Sequence, residues 1–147
     1  MNQITSHTLI SSAITPTAGV AGTSAITGTT IDSANAEGVL FLVRMGAITA
    51  GAVTSLKVQH SDTTTSGDFV DVAGTSQTIG DTDDEEIFAV EIKKPAKRYV
   101  RLVVSRATQN ATVAAAEALV YGNRYAPVTQ PSGTNVESFG APASGTA

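Results

Sequence analysis

Apolar and polar residues alternate with a period of two through the middle of the chain. Val39, Phe41, Val43 and Met45 interleave with Leu40, Leu42 and Arg44. A run this apolar predicts a strand over residues 38–45, buried on both faces for most of its length. Leu56, Val58 and His60 interleave with Ser55, Lys57 and Gln59. That pattern predicts a strand over residues 53–60 with one buried face. Between the two, residues 47–52 hold Gly51 and predict a hairpin connection. Short strands are expected at residues 69–72 and 76–79, around Gly74. Phe88, Val90 and Ile92 alternate with Ala89 and Glu91, predicting a strand over residues 87–92. Pro95 ends it within residues 93–97. Tyr99, Arg101 and Val103 alternate with Val100, Leu102 and Val104, predicting a strand over residues 98–104. Residues 62–68, 81–86 and 106–111 are polar and read as turns.

Residues 112–121 point two ways. The run Ala114-Ala115-Ala116-Glu117-Ala118-Leu119 has high helix propensity, while Thr112-Val113 and Val120-Tyr121 favour a strand. Small alanines suit the inner face of a tight sandwich, strands precede the segment and Gly122 closes it, so we read a strand. Strands recurring roughly every 8–12 residues between polar turns predict an all-β sandwich or barrel. The expected core is Val39, Phe41, Val43, Leu56, Val58, Phe88, Val90, Val100, Leu102 and Val104.

The two ends differ from the middle. Residues 1–30 are rich in Thr, Ser, Ala and Gly, and Ile4, Leu9, Ile10, Ile14 and Ile26 recur without a helical period. This predicts an extended N-terminal arm, holding one or two short strands or else flexible. Residues 126–147 carry Pro127, Pro131 and Pro142 with few apolar residues, which predicts a tail that is flexible or ordered by a partner. The expected division is an arm over 1–30, a sandwich domain over 31–125 and a tail over 126–147. The apolar residues and prolines of the ends, Ile4, Leu9, Ile10, Pro127, Val128, Pro131, Val136 and Phe139, are the candidate partner-contacting positions. Pro127 and Pro131 would keep the start of the tail extended and lower the entropy lost on docking.

Composition narrows the function. The chain has 147 residues, a net charge of -4, 41% hydrophobic and only 15% charged residues. Ordinary soluble domains are about 25% charged. Small neutral polar residues fill the gap, as in extracellular or structural β proteins. With no Cys there is neither a disulfide framework nor a thiolate nucleophile or ligand. Acidic balance disfavours broad electrostatic binding to nucleic acid. No apolar run approaches the roughly 20 residues of a membrane-spanning helix, and the first residues lack the basic-then-apolar order of a signal peptide. Asn110-Ala111-Thr112 matches a glycosylation sequon, which a chain without a secretory route does not use.

Candidate chemistry is sparse. The acidic run Asp81-Thr82-Asp83-Asp84-Glu85-Glu86 has carboxylates for a hard cation, but Glu86 and Ile92 stand where a calcium loop needs Gly and Glu. It reads as a solvated turn. Lys93, Lys94, Lys97, Arg98 and Arg101 follow it with only Tyr99 as an aromatic. They lack the stacking platform of a single-strand binder, and the adjoining acidic and basic patches suit complementary surfaces between subunits. His60 precedes Ser61 and Asp62, but neighbours on one strand do not converge as a catalytic triad. His7, in the arm, carries no signal. No phosphate-binding glycine loop is present. The chain is therefore expected to have no catalytic, cofactor-binding or metal residues and not to be an enzyme.

The order Thr30-Ile31-Asp32, Gly38-Val39-Leu40-Phe41-Leu42-Val43, Gly46-Ala47-Ile48-Thr49-Ala50-Gly51, Leu56-Lys57-Val58-Gln59-His60-Ser61-Asp62, Phe69-Val70-Asp71-Val72, Arg98-Tyr99-Val100-Arg101-Leu102-Val103-Val104 and Ala118-Leu119-Val120-Tyr121-Gly122 resembles the head decoration, or cement, proteins of tailed bacteriophages. The resemblance covers residues 30–127 and rests on strand patterns. It implies a jelly-roll-like antiparallel β-sandwich that binds the outside of an assembled capsid and ties capsomers together. It further implies the major capsid protein as partner, a homo-oligomer (dimer or trimer), no direct contact with nucleic acid or membrane, and a place on the capsid exterior after synthesis in the host cytoplasm. A phage tail or head–tail connector protein is the alternative, with the same fold class and composition. A surface- or carbohydrate-binding module is the third reading, opposed by the lack of Trp.

Overall fold

The computed structural model describes residues 3–138. Along the chain run a one-turn helix α1 (Ile4–His7) and strands β1 (Leu9–Ile14), β2 (Ile26–Thr27), β3 (Ile31–Asp32), β4 (Gly38–Ile48) and β5 (Val53–Ser61). A 3-10 turn (Ser66–Asp68) precedes β6 (Val70–Asp71), β7 (Gln77–Ile79), β8 (Ile87–Lys93), β9 (Tyr99–Ala107) and β10 (Ala111–Tyr121). All pairings are antiparallel. One sheet has the order β1-β10-β4-β8. In the other, β2 and β3 both pair with β9, β9 with β5, and β5 with both β6 and β7. Counting β2 and β3 as one interrupted strand, and β6 and β7 as another, reduces ten strands to eight, four per sheet. In chain order they lie 1-8-3-6 against 2-7-4-5, the two interlocked Greek keys of a jelly roll.

The core lies between the sheets. Val39, Phe41, Val43 and Met45 of β4 face Leu56 and Val58 of β5 and Val100, Leu102 and Val104 of β9, all fully buried. Of the ten expected core residues, only Phe88 is half-buried, packed on the core's margin in the edge strand β8. Residues 112–121 are the strand β10. Ala111 and Val113 are buried, a register shift between Val113 and Ala115 changes the phase, and Ala116, Ala118 and Val120 are then buried around the exposed Glu117. The period is a strand's two on each side of the shift, despite the helix-forming composition. The alanines make room for the close approach of the opposite sheet.

Two expectations are corrected. β4 alternates instead of burying both faces: Leu40 and Leu42 are half-buried and Arg44 is exposed. A two-layer sandwich has nothing to stack on a sheet's outer face, so neighbouring side chains on β10 and β8 provide the only cover. The second correction concerns the boundary of the arm, because the short strands of residues 1–30 belong to the sandwich. β1 is the edge strand of the first sheet, pairing from Leu9↔Val120 to Ile14↔Ala116. Ala13, Ile14 and Ile26 belong to the core. A β-bulge between Ser12 and Ile14 shifts the register, which hid the strand's period of two.

The connection between β1 and β2 is fastened by Arg106. Its guanidinium donates to the carbonyl oxygens of Val20 at 2.6 Å, Ser24 at 2.7 Å and Ala111 at 2.8 Å. The same connection touches β10 through Gly19, whose oxygen accepts the Val113 N–H at 2.8 Å. A Cβ on Gly19 would collide with the Val113 carbonyl.

Candidate functional site

The strand directions divide the loops between two ends, and the charge divides with them. β8 starts at the acidic turn of residues 81–86 and finishes at the basic turn of residues 93–98. Its seven residues separate these turns by roughly 20 Å at about 3.3 Å per residue.

At the acidic end the three aspartates are engaged with backbone. Asp84 Oδ1 accepts the Ile48 N–H at 2.6 Å, and Asp81 Oδ2 accepts the Gly51 N–H at 2.6 Å. Asp83 Oδ2 accepts the Gly80 N–H at 2.7 Å within its own turn. The run that reads as a solvated turn therefore ties the β4–β5 hairpin to the β7–β8 connection. Among the described residues no group of His, Cys, Asp or Glu is placed to hold a metal ion, and no helix is long and apolar enough to cross a membrane.

At the opposite end a cleft of about 680 Å³ opens between the β3–β4, β8–β9 and post-β10 segments. Lys94, Lys97, Arg98 and Arg124 line it, with Glu37, Asn35, Asn123 and His7. Backbone hydrogen bonds hold its walls together. The Lys94 N–H donates to Glu37 O at 2.7 Å, and the Arg124 N–H donates to Asn35 O at 2.9 Å. Asn123 joins its backbone N–H to His7 O at 3.1 Å and its Nδ2 to the same oxygen at 3.0 Å. Lys94 adopts a left-handed φ of 48°, the turn that carries the chain off the end of β8.

The cations of the cleft fall into two kinds. Arg98 is committed: its guanidinium grips Asp32 in a fork, Nε to Oδ1 at 3.0 Å and Nη2 to Oδ2 at 2.7 Å. Arg98's hydrogen bonds hold the Asp32 carboxyl below the usual carboxylate range, and Asp32 raises the Arg98 pKa in return. Lys97 stands 3.5 Å from Asp62. Among the described residues Lys94 and Arg124 have no ion-pair partner. A further tie lies beside the cleft, where the Tyr121 hydroxyl donates to Glu91 Oε1 at 2.6 Å and its pKa is pushed up to about 12.

The basic run of the sequence therefore divides. Lys94, Lys97 and Arg98 enter the cleft; Lys93 pairs with Glu91 at 3.6 Å. Arg101 lies elsewhere, buried with Nε on Gln59 at 2.9 Å, Nη1 on Ser66 at 3.0 Å and its guanidinium over the Phe69 ring. Arg124, Asn35 and Asn123 escape sequence reasoning because they come from segments far apart in the chain and follow no motif.

None of the described candidate partner-contacting positions of the two ends lines this cleft. Ile4 is exposed on α1, Leu9 and Ile10 are half-buried in β1, Pro127 is exposed, and Val128, Pro131 and Val136 are half-buried. Phe139 lies outside the described residues. The structure brings the N- and C-terminal sets together along β1: the Val128 N–H donates to Ser6 O at 3.0 Å, and Thr134 Oγ1 donates to Ile10 O at 3.2 Å. His60 sits half-buried opposite Val100 in the sheet. No protein-family model matches the chain, and no curated protein is detectably similar to it.

Proposed function

We propose that the chain is a structural protein of a tailed-phage virion, one that docks on the outer surface of the assembled capsid and bridges capsomers. The observation that supports this reading is the jelly-roll connectivity, built from the same strand segments that carry the resemblance to head decoration proteins. The charge distribution adds an orientation. Lys94 and Arg124, without ion-pair partners among the described residues, point the cleft end toward acidic side chains on a protein surface, the complementarity that steers and registers docking. A chain with only 15% charged residues suits close packing between protein partners. Many copies on one shell let each contact be weak while the whole lattice holds.

Cosedimentation with capsids stripped of this protein tests the reading. Wild-type chain pellets with capsids and comes off as salt rises, because exposed charge pairs are screened. Lys94→Glu with Arg124→Glu weakens binding at least tenfold with the fold intact. A wild-type chain that stays in the supernatant at every salt concentration contradicts the proposal.

A further inference from the structure

The outer edge of β1 is closed by the chain's own C-terminal segment, and the closure is made with side chains. Gln130 Oε1 accepts the Ile10 N–H at 2.9 Å. Gln130 Nε2 donates to Thr8 O at 2.8 Å and to Thr5 O at 3.3 Å. Thr134 Oγ1 takes the other outward group, Ile10 O, at 3.2 Å. No residue of 126–138 forms a strand. Both outward groups of Ile10 and the outward C=O of Thr8, which a neighbouring strand would use, are thus occupied by one glutamine and one threonine.

β1 needs such cover more than any other edge. Its sequence, Leu-Ile-Ser-Ser-Ala-Ile, contains no charge and no proline, the residues with which exposed edges usually block pairing. β8, the other edge of that sheet, carries Glu91 and Lys93, and Gln77 Nε2 donates to its Ala89 O at 3.1 Å. The edges of the second sheet are pieces of two or three residues. Among the described residues β1 is the one edge of six residues with neither charge nor proline, and its bulge lies past Ser12, so residues 9–12 keep a regular register open to pairing.

We propose that residues 126–138 are a displaceable guard, and that the edge they cover pairs with the same edge of a second copy of this chain. Ile10 directs both its N–H and its C=O outward. In an antiparallel ladder such residues recur at every second position, so Thr8 and Ser12 share its side. Two copies of β1 run antiparallel about a two-fold axis at Ile10 set Ile10 against Ile10 and Thr8 against Ser12. That register matches every outward group of the strand's first half and joins two four-stranded sheets into one. A side-chain latch gives way one bond at a time, whereas a strand ladder forms as a unit, so displacement of the tail converts a closed edge into an open one. The inference concerns self-association and does not rest on the capsid reading.

The test uses the full chain carrying Gln130→Ala and Thr134→Val, separately and together, followed by light scattering across concentrations. Dimerisation at least tenfold tighter in the double variant than in wild type supports the proposal. Within that background Ile10→Pro, which removes the outward N–H at an edge position where proline is tolerated, and Ser12→Lys, which charges the edge, must each return the monomer. Unchanged association, open-ended oligomers, or a dimer that survives both edge substitutions overturns it. A wild-type dimer weakened by the guard substitutions also overturns it, since the tails would then be exchanged between copies.

Discussion

Arg106 is a cation held by carbonyl oxygens alone. Burial lowers its pKa, yet a guanidinium stays charged at any pH the fold meets. Its three backbone acceptors replace the solvation lost on burial. Removing the side chain takes the Arg106 donor from the Val20 and Ser24 oxygens, leaves Ala111 O with the Gly22 N–H at 3.3 Å, and frees the β1–β2 connection from β9. Arg106→Ala is therefore expected to destabilise the fold by about 2–4 kcal/mol in urea unfolding. Arg106→Lys recovers only part of that, because an ammonium cannot present the fork that reaches carbonyls from both sides. The sequence marks this residue only as the start of a polar turn. Its role depends on carbonyl groups, which leave no trace in side-chain pattern.

At the scale of elements, four of the five longest strands were legible from alternation and β10 from its flanks and neighbours, and their ends shift by no more than three residues. Residues 38–45 extend to Ile48 and residues 98–104 become Tyr99–Ala107. β1 was not legible. A bulge interrupts its period, half its residues are Ser and Ala, and its apolar positions reach the core only through pairing with β10. The cleft was half legible, since a run of basic residues is visible while its meeting with Asn35, Asn123 and Arg124 is a product of topology. One cross-strand tie shows how local chemistry depends on the register. Tyr121 of β10 lies opposite Gly38 of β4, and a Cβ there would run into the phenol ring. Glycine lets the ring lean across β4 to Glu91 of β8. That bond, with burial and the Glu91 charge, raises the Tyr121 pKa to about 12 from the ordinary value of about 10. A raised pKa favours the neutral phenol in the folded state. The stabilisation is fully present below pH about 10 and lost as pH climbs through about 12. Tyr121→Phe is expected to lower stability at neutral pH and to flatten this alkaline loss. A variant with the wild-type slope between those pH values would show that another group titrates there.

At the scale of the molecule, the jelly roll places its first strand beside its last, so the chain cannot complete its first sheet without β1. A chain beginning at Gly28 lacks β1 and β2 and with them Ala13, Ile14 and Ile26 of the core. It is expected to lose cooperative thermal unfolding, whereas a removable arm would leave the transition intact. The finished sandwich has a carboxylate-rich end anchored on backbone and a cleft end carrying Lys94 and Arg124. That asymmetry gives the proposed capsid contact its direction. The central claim is that this protein covers the outside of a phage head. The most direct measurement is its copy number, relative to the major capsid protein, in purified particles of the phage proposed to carry it. Decoration predicts a number on the order of hundreds per head, in fixed proportion to the capsomers. A number on the order of six to a few dozen would place it in the tail or connector, and absence from the particle would contradict the account outright.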